Sequence, residues 1–501
     1  MRPALLPGAA VLVSLAGVLL ARDAVASPLF ELAGSTTGDG GFNAGVTGES
    51  SSATYFNPAL LPYAPQSFET GTVVLTDQIS VILDGRAGGD VPLVVGDRAL
   101  VGADGRPISN ATVPTPWLEN GCTPQQCQPP LFRKRPRQAA GSSGQVRAYQ
   151  VIGLVSHIVP KRLVLGLHAL VPLGTFTTAR SFYNDEREQF FSNSLHPELF
   201  GDRMTATSIA FGPGVKIAKN LSIGLSFTLN LTNDAQAATY VRSSANYDQL
   251  LVDTNVGVKA AVAAHGGVAW RPVERLRLAA TFHQEQKFVI ATGIKAALPS
   301  GQESETTRTQ VHDFVPWTVG LGGTVEVAKR ERHTISVAGS LKYAAWSRYL
   351  DRHGDSPAVF GPRFAWKDTL SPTVGLRHAS GGMREYLDVT YVPSPVPEQS
   401  GRSSYVDSDR AGLTIGADYT FEAAGLKWRP GLSLQGHKVL HRYNRKTDAL
   451  VLDEVPDDAV DAQTRLPVPG ARGLQTNNPG WPGFASEGWV YGGAATIAVI
   501  Y

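Results

Sequence analysis

The sequence predicts an all-β protein: a fourteen-stranded antiparallel transmembrane β-barrel with an N-terminal plug, or hatch, in its lumen. Three observations carry the prediction. Apolar and polar residues alternate with a period of two over long stretches. Short and long connections alternate between those stretches. An export signal precedes a chain that holds no run of 18 apolar residues.

Residues 1–26 read as a signal peptide. Arg2 supplies the positive start, "AAVLVSLAGVLLA" (9–21) the apolar centre and "AVA" (24–26) the small-x-small cleavage site. The apolar run falls short of the ~20 residues that a spanning helix needs, so the mature chain is expected to begin at Ser27. Of the 501 residues in the full sequence, 52 are Gly and 33 Pro, and only 18% are charged. Soluble domains carry about 25% charge, so the composition favours strands and turns in an apolar setting. A formal net charge of +2 with no long basic run gives no electrostatic case for nucleic acid.

The strands follow from side-chain parity. In "LSIGLSFTLNLT" (221–232), Leu221, Ile223, Leu225, Phe227, Leu229 and Leu231 share one face. "ISVAGSLKY" (335–343) and "LTIGADYTF" (413–421) alternate in the same way, and Tyr491, Ala495, Ile497, Val499 and Tyr501 share a face at the end of the chain. Such runs match the ~9–11 residues that a tilted strand needs to cross a bilayer. Closure pairs the last strand with the first, and a terminal aromatic suits an interface girdle.

A soluble sandwich also alternates, but its connections do not sort by length. Here tight connections fall at 160–161, 218–220, 272–275, 329–332, 380–383 and 423–425. Long ones fall near 85–145, 177–203, 235–254, 295–312, 351–368, 397–408 and 443–486. The alternation gives fourteen strands, with one rim facing the periplasm and the other the outside.

"SATYFNPALLPY" (52–63) is apolar and aromatic, yet Pro58 and Pro62 exclude a long helix or a central strand. Lipid would leave its backbone unpaired and water would expose its rings. The inside of a wide barrel answers both, so residues 27–65, with the Gly-rich "GSTTGDGGFNAGVTGESS" (34–51), are assigned to the plug and 66–501 to the barrel. Phe56, Asn57, Pro58 and Ala59 then form the gate beside the wall. Cys122 and Cys127 are expected to form a local disulfide stiffening a long loop. A metal site is the alternative, but the spacing is not that of a zinc motif and no His stands nearby.

Several blocks carry a family resemblance. "WKDTLSPTVGLRH" (366–378) and "YVPSPVPEQSGRSSYVDSDRAGLTIGADYTF" (391–421) resemble the late-barrel region of the FadL/TodX-type outer-membrane transporters, through "SPVPEQ", "DSDR" and "G-x-x-Y-x-F". "LKYAAWSRY" (341–349), "VPLG" (171–174) and "FNPALL" (56–61) resemble further family segments in the right order. "GGMREYLDVTY" (381–391) departs by lacking an Arg-Gly pair, and the loops 85–145 and 443–486 are peculiar to this chain. The resemblance implies a monomeric barrel in the bacterial outer membrane that needs no cofactor. It also implies passive uptake of long-chain fatty acids or hydrocarbons through a lateral opening. Expected partners are the hydrophobic ligand, outer-membrane lipid and lipopolysaccharide, and the barrel-assembly machinery, met through the strand ending at Tyr501.

Pro172 in "LVLGLHALVPLGTF" (163–176) removes a ladder hydrogen bond, and Gly174 weakens the strand further. Physics allows a bend that opens the wall or a strand that ends early at the rim; the resemblance selects the opening. Parity places His283, Glu285 and Lys287 inward, opposite Leu278, Ala280 and Phe282, and Lys342 and Arg348 opposite Leu341 and Tyr343. His283, Lys287, Lys342 and Arg348 are therefore candidates to hold a ligand carboxylate, or to pair as ordinary lumenal charges. "FYNDEREQFFSNSLHPELF" (182–200) mixes aromatics with charge at the outer mouth, as a landing site or a packed lid. No Gly-x-Ser-x-Gly, His-Glu-x-x-His or phosphate-cradling loop occurs, so an enzyme is not expected. A general pore or structural barrel is the alternative, with a lipid-modifying barrel enzyme behind it.

Overall fold

Residues that alternate along an extended chain put one set of side chains outward and the other inward, and the structure shows where each set goes. The computed structural model describes residues 28–38, 40–84, 100–101, 107–108, 140–141, 146–174, 207–241, 250–297, 303–351, 354–399, 405–446, 460–461 and 483–501. Residues 1–26, Cys122, Cys127 and residues 182–200, on which the export-signal, disulfide and outer-mouth expectations fall, lie outside the described residues.

Fourteen strands form the wall. They are β1 (Ser67–Leu83), β2 (Val146–Val159), β3 (Leu163–Pro172), β4 (Thr207–Ala218), β5 (Leu221–Val241), β6 (Leu250–Val273) and β7 (Leu276–His283). The second half is β8 (Thr318–Arg330), β9 (His333–Ala344), β10 (Thr369–Ser380), β11 (Met383–Val392), β12 (Arg410–Tyr419), β13 (Leu426–Arg445) and β14 (Gly483–Ile500). Each pairs antiparallel with the next. The ring closes where β14 pairs with β1, in register from Ser67 opposite Ile500 to Leu83 opposite Phe484. Closure leaves no edge strand, as a lipid-immersed sheet requires.

The six tight connections fall on one rim at the expected places. At 424–425, Ala424 (φ 54°) and Gly425 (φ 74°) take the left-handed pair that matches hairpin twist. Two expected connections are instead largely strand. β5 and β6 stay paired as far as Val241 opposite Leu250. Beyond β7, Gln286–Ala297 pairs with Glu303–Val315, a hairpin that continues β7 and β8 past the loop rim. These stretches are rich in Thr, Val and Ala but lack a clean apolar face, so parity passes over them.

The wall is inverted relative to a soluble protein. Leu321 is 59% exposed and Val374 61%, and Ile223, Leu225, Ile335, Val337, Leu413 and Ile415 are exposed with them. Ser222, Ser226, Thr228, His265, Asp388 and Thr414 are buried. Exposed aromatics gather at both ends of the apolar band. Phe68, Tyr419, Phe421 and Tyr501 stand by the turn rim, and Phe282 by the loop rim, where it packs in a row with the half-buried Trp317 and Tyr343. This is the pattern of a bilayer-spanning barrel. Among the described residues no helix is long and apolar enough to cross a membrane.

Candidate functional site

Residues 28–38 and 40–66 meet the inward-facing side chains of strands all round the wall. They fold as three short helices, α1 (Pro28–Ala33), α2 (Ala44–Thr47) and α3 (Ala53–Phe56), followed by a 3-10 turn, Pro58–Tyr63. Polar side chains of the wall hold them from many directions. Asp388 on β11 accepts from the Asn43 amide N–H (3.1 Å) and side chain (2.9 Å). Arg377 on β10 pairs with Asp388 and donates to the Gly40 carbonyl at 2.9 Å. Glu69 on β1 accepts from the Ser51 amide at 3.1 Å. Glu49 accepts from Arg271 on β6 at 3.0 Å and from Arg277 on β7, and Arg271 lies over the Tyr63 ring at 4.1 Å.

The structure explains how the 52–63 stretch tolerates its prolines. Asn57 ends α3 and caps the next turn: its Oδ1 accepts from the Ala59 amide at 3.1 Å and its Nδ2 donates to the Gly45 carbonyl at 2.8 Å. Pro58 opens the 3-10 turn, where no amide donor is needed. Pro62 leaves the Ala59 carbonyl without its donor within the turn, and Ser222 Oγ on β5 supplies one at 2.7 Å. Ala59, Leu60 and Leu61 pack with Val155, Val164 and Ala269 of the wall. Gly214, Gly224 and Gly267 let the turn approach this closely; a Cβ at Gly214 or Gly224 would overlap the Pro58 backbone, and one at Gly267 the Asn57 side chain.

The opposite side of the segment does not pack in this way. A cavity of about 130 Å³ separates it from β7–β13, well above the ~10–15 Å³ that one water needs. Phe42, Val46 and Phe56 give it apolar surface; Thr281, Ser340, Ser371, Thr373 and Thr390 give it hydroxyls. Glu31, Lys342 and Arg410 give it charge, and His283 and His437 add imidazoles. Glu31 projects from α1 while Leu29, Phe30 and Leu32 join Val73, Leu75, Tyr149 and Leu170 in the apolar packing. The Glu31 carboxylate accepts from Lys342 Nζ on β9 and from the buried Tyr55 hydroxyl at 3.1 Å. His283 Nδ1 lies 3.5 Å from it, buried and without a hydrogen-bond partner. Burial alone would raise the Glu31 carboxyl, but the Lys342 ammonium and His283 outweigh it and hold the group well below the usual carboxylate range.

Among the sequence-predicted residues, the structure therefore brings Phe56, His283 and Lys342 to one cavity, with Asn57, Pro58 and Ala59 on the packed side. Lys287 and Arg348 go elsewhere: both pair with Glu285, at 3.6 and 2.5 Å, outside the cavity lining. Pro172 is the last residue of β3, and Gly174 follows in open surroundings. The β3–β4 ladder stops at Leu170 opposite Ser208. The Leu173 amide donates to Ala148 on the β2 side, so by alternation the N–H that Pro172 lacks faces β4.

The sequence reading missed Glu31, Arg410 and His437. Glu31 has a signal in hindsight, as one acid inside the apolar run "PLFELA". The cavity itself has none, because its lining is scattered from position 31 to position 437.

Above the cavity, the block with the strongest family resemblance ties the mouth together. Arg442 donates to the Val396 and Pro397 carbonyls at 2.9 and 2.8 Å, and Ser394 Oγ donates to buried Asp407 at 2.5 Å. Burial pushes the Asp407 carboxyl up to about 6, against the pull of Ser394, Arg410 and Arg442. Beside this loop, Tyr349 stacks on Trp366 at 3.6 Å within a cluster that includes Phe314 and Tyr405.

No family model and no curated protein matches the chain. Among solved structures it is similar to a FadL homologue of Pseudomonas aeruginosa, at 14% identity and TM-score 0.52 over 96% of this chain and 99% of that one. The toluene transporter TodX of P. putida aligns at 11% identity and TM-score 0.44, over 95% and 99% of the two chains. The toluene transporter TbuX of Ralstonia pickettii aligns at 10% and 0.44, over 96% and 100%. The first of these likenesses establishes the fold: this chain shares the closed barrel of the Pseudomonas aeruginosa FadL homologue.

Proposed function

We propose that the protein is a bacterial outer-membrane channel for passive uptake of hydrophobic small molecules, fatty acids or hydrocarbons. The carrying observation is the cavity between residues 28–66 and the wall, lined by Phe42, Val46, Phe56 and wall hydroxyls, inside a barrel with an apolar exterior. An apolar ligand gains roughly 25 cal/mol for each Å² it buries there, while the barrel shields it from the polar layer outside. Residues 28–66 act as the plug, and Asn57–Ala59 mark its junction with the wall. The end of the β3–β4 ladder beside Pro172 is the site of lateral exit. The resemblance in sequence and the likeness in fold support this reading. The protein works as a monomer, sits among lipid and lipopolysaccharide, and reaches the membrane through the barrel-assembly machinery with its last strand.

Vesicles containing the purified protein test the proposal. Uptake of labelled dodecanoate or toluene without leakage of small polar solutes is the expected result. Leakage of polar solutes in its place would establish a general pore. Two variants refine it. A disulfide tether from Asn43→Cys to Ser340→Cys, whose side chains meet at 2.8 Å on the cavity side, stops uptake, as does restoring strand residues at Pro172 and Gly174; full uptake by a folded Pro172/Gly174 double variant would remove the lateral exit from the proposal.

A further inference from the structure

A charge imbalance stands on the turn rim, outside the cavity lining. Trp270 and Leu278 are exposed on the wall while Ala269 and Ala279 are buried. By alternation Arg271, near the end of β6, and Arg277, at the start of β7, point into the barrel. Lys216, near the end of β4, shares the inward face of Gly214, which meets Pro58. All three cations gather on one ring. Their charged ends lie 4.1 Å (Arg271), 5.3 Å (Arg277) and 5.2 Å (Lys216) from the centre of the Tyr63 ring. One carboxylate answers them: Arg271 and Arg277 both donate to the same Glu49 oxygen, Oε1. The Lys216 ammonium has the ring and no carboxylate among the described residues. Glu326, the next acid on this rim, faces Arg275 at 4.0 Å. The exposed Arg162 adds a further cation, and its carbonyl accepts from the Lys216 amide at 2.8 Å.

Two polar atoms of the group are also unsatisfied. Arg277 Nε and Tyr63 Oη are buried without a hydrogen-bond partner. The Arg277 side chain is only 10% exposed, against 34% for Arg271, so the cluster is dry at one end and open to water at the other. A ring face offsets part of the repulsion among cations held together, but three cations around one acid leave two charges unanswered. We propose that this cluster is an oxyanion site for a phosphate group, free or ester-linked, on the turn rim of the barrel. A phosphomonoester carries about −1.5 to −2 charge, which matches the surplus, whereas a carboxylate brings one. The two guanidinium forks offer paired donors to its oxygens and the ammonium a point charge. The ligand joins β4, β6 and β7 to Tyr63, at the foot of the lumenal segment, and so stiffens that segment from the periplasmic side. The site does not depend on which cargo the barrel takes.

The test titrates the full barrel in detergent with inorganic phosphate, with glycerol 3-phosphate and, at equal ionic strength, with chloride. Either phosphate is expected to raise the melting temperature saturably and to slow hydrogen exchange of the amides at 59–64; chloride does neither. Tighter binding of glycerol 3-phosphate assigns the site to a phosphoester, and tighter binding of inorganic phosphate to the free ion. Lys216→Gln is expected to weaken phosphate roughly 10–100-fold, the worth of one hydrogen bond to a charged group, with little change in melting when phosphate is absent. Glu49→Gln removes the competing carboxylate and is expected to tighten phosphate. Arg332→Gln, at an exposed cation of the β8–β9 turn on the same rim, leaves the affinity unchanged. Chloride acting as phosphate does, or Lys216→Gln and Arg332→Gln weakening phosphate equally, would reduce the cluster to a general effect of charge and overturn the site. So would the absence of saturable phosphate binding by the unsubstituted protein.

Discussion

The two sides of the lumenal segment are held by different forces. Against β3–β6, the turn Pro58–Tyr63 sits in van der Waals contact, set into a wall thinned by Gly214, Gly224 and Gly267 and pinned by Ser222. Against β7–β13 it meets a cavity, and its links there are charged or hydrogen-bonded: Glu31 with Lys342, Asn43 with Asp388. A close-packed contact has no substitute, because no ligand reproduces the shape of a protein backbone. An ion pair can be exchanged for another of the same sign. The packed side therefore has no exchangeable partner, and the charged side has one.

That contrast is broken most severely at the glycine wall. Gly224→Val puts a branched side chain where the Pro58 carbonyl lies, and overpacking of this kind costs ~1–3 kcal/mol or more. A lowered urea midpoint and faster hydrogen exchange across residues 53–63 are the expected readouts. Ser222→Ala is next. It leaves the buried Ala59 carbonyl without the donor that Pro62 cannot provide, at a cost of about 1–3 kcal/mol, seen as a shifted midpoint with an unchanged denaturant slope.

Acid sharpens the comparison through opposite slopes. The Glu31 carboxyl is depressed in the folded protein, so its contribution is present above its ordinary value of 4.5 and is lost as the pH falls below it. The Asp407 carboxyl is raised from 3.8 to about 6. The folded loop then binds the proton more tightly than the unfolded chain, and its stability falls as the pH rises through that window. Hydrogen exchange at 28–33 should quicken in acid while exchange at 394–399 slows, and Asp407→Asn should flatten only the second. The smallest effect is expected from Glu285→Gln. Its pair with the exposed Arg348 belongs to the class worth about 0–1 kcal/mol, and ligand binding should not change.

Much of the fold was legible because a barrel strand has one rule, parity, and turns punctuate it. Parity found the strand faces, the tight connections and the closure of Ser67–Leu83 on Gly483–Ile500. It failed at Gln286–Ala297 and Glu303–Val315, where strands run on without an apolar face. The candidate site was legible only in halves. Parity gave the inward direction of His283 and Lys342 but not their depth, so Lys287 and Arg348 looked equivalent to them. Only the folded lumen separates them, because Glu31 meets Lys342 across 311 positions of sequence.

The link between plug and wall has a consequence for how far anything inside can travel. Only residues 64–66 separate the turn Pro58–Tyr63 from β1, and three extended residues reach about 10 Å. Even that leash is knotted at the barrel's seam: Gln66 accepts from the Tyr501 amide at 3.2 Å and from His157 at 3.3 Å, and the His157 ring donates to Ala64 at 2.9 Å. The lumen cannot be emptied the way a bottle is uncorked. On the uptake reading proposed above, the segment stays on this short tether and cargo slips past a door that never leaves its frame.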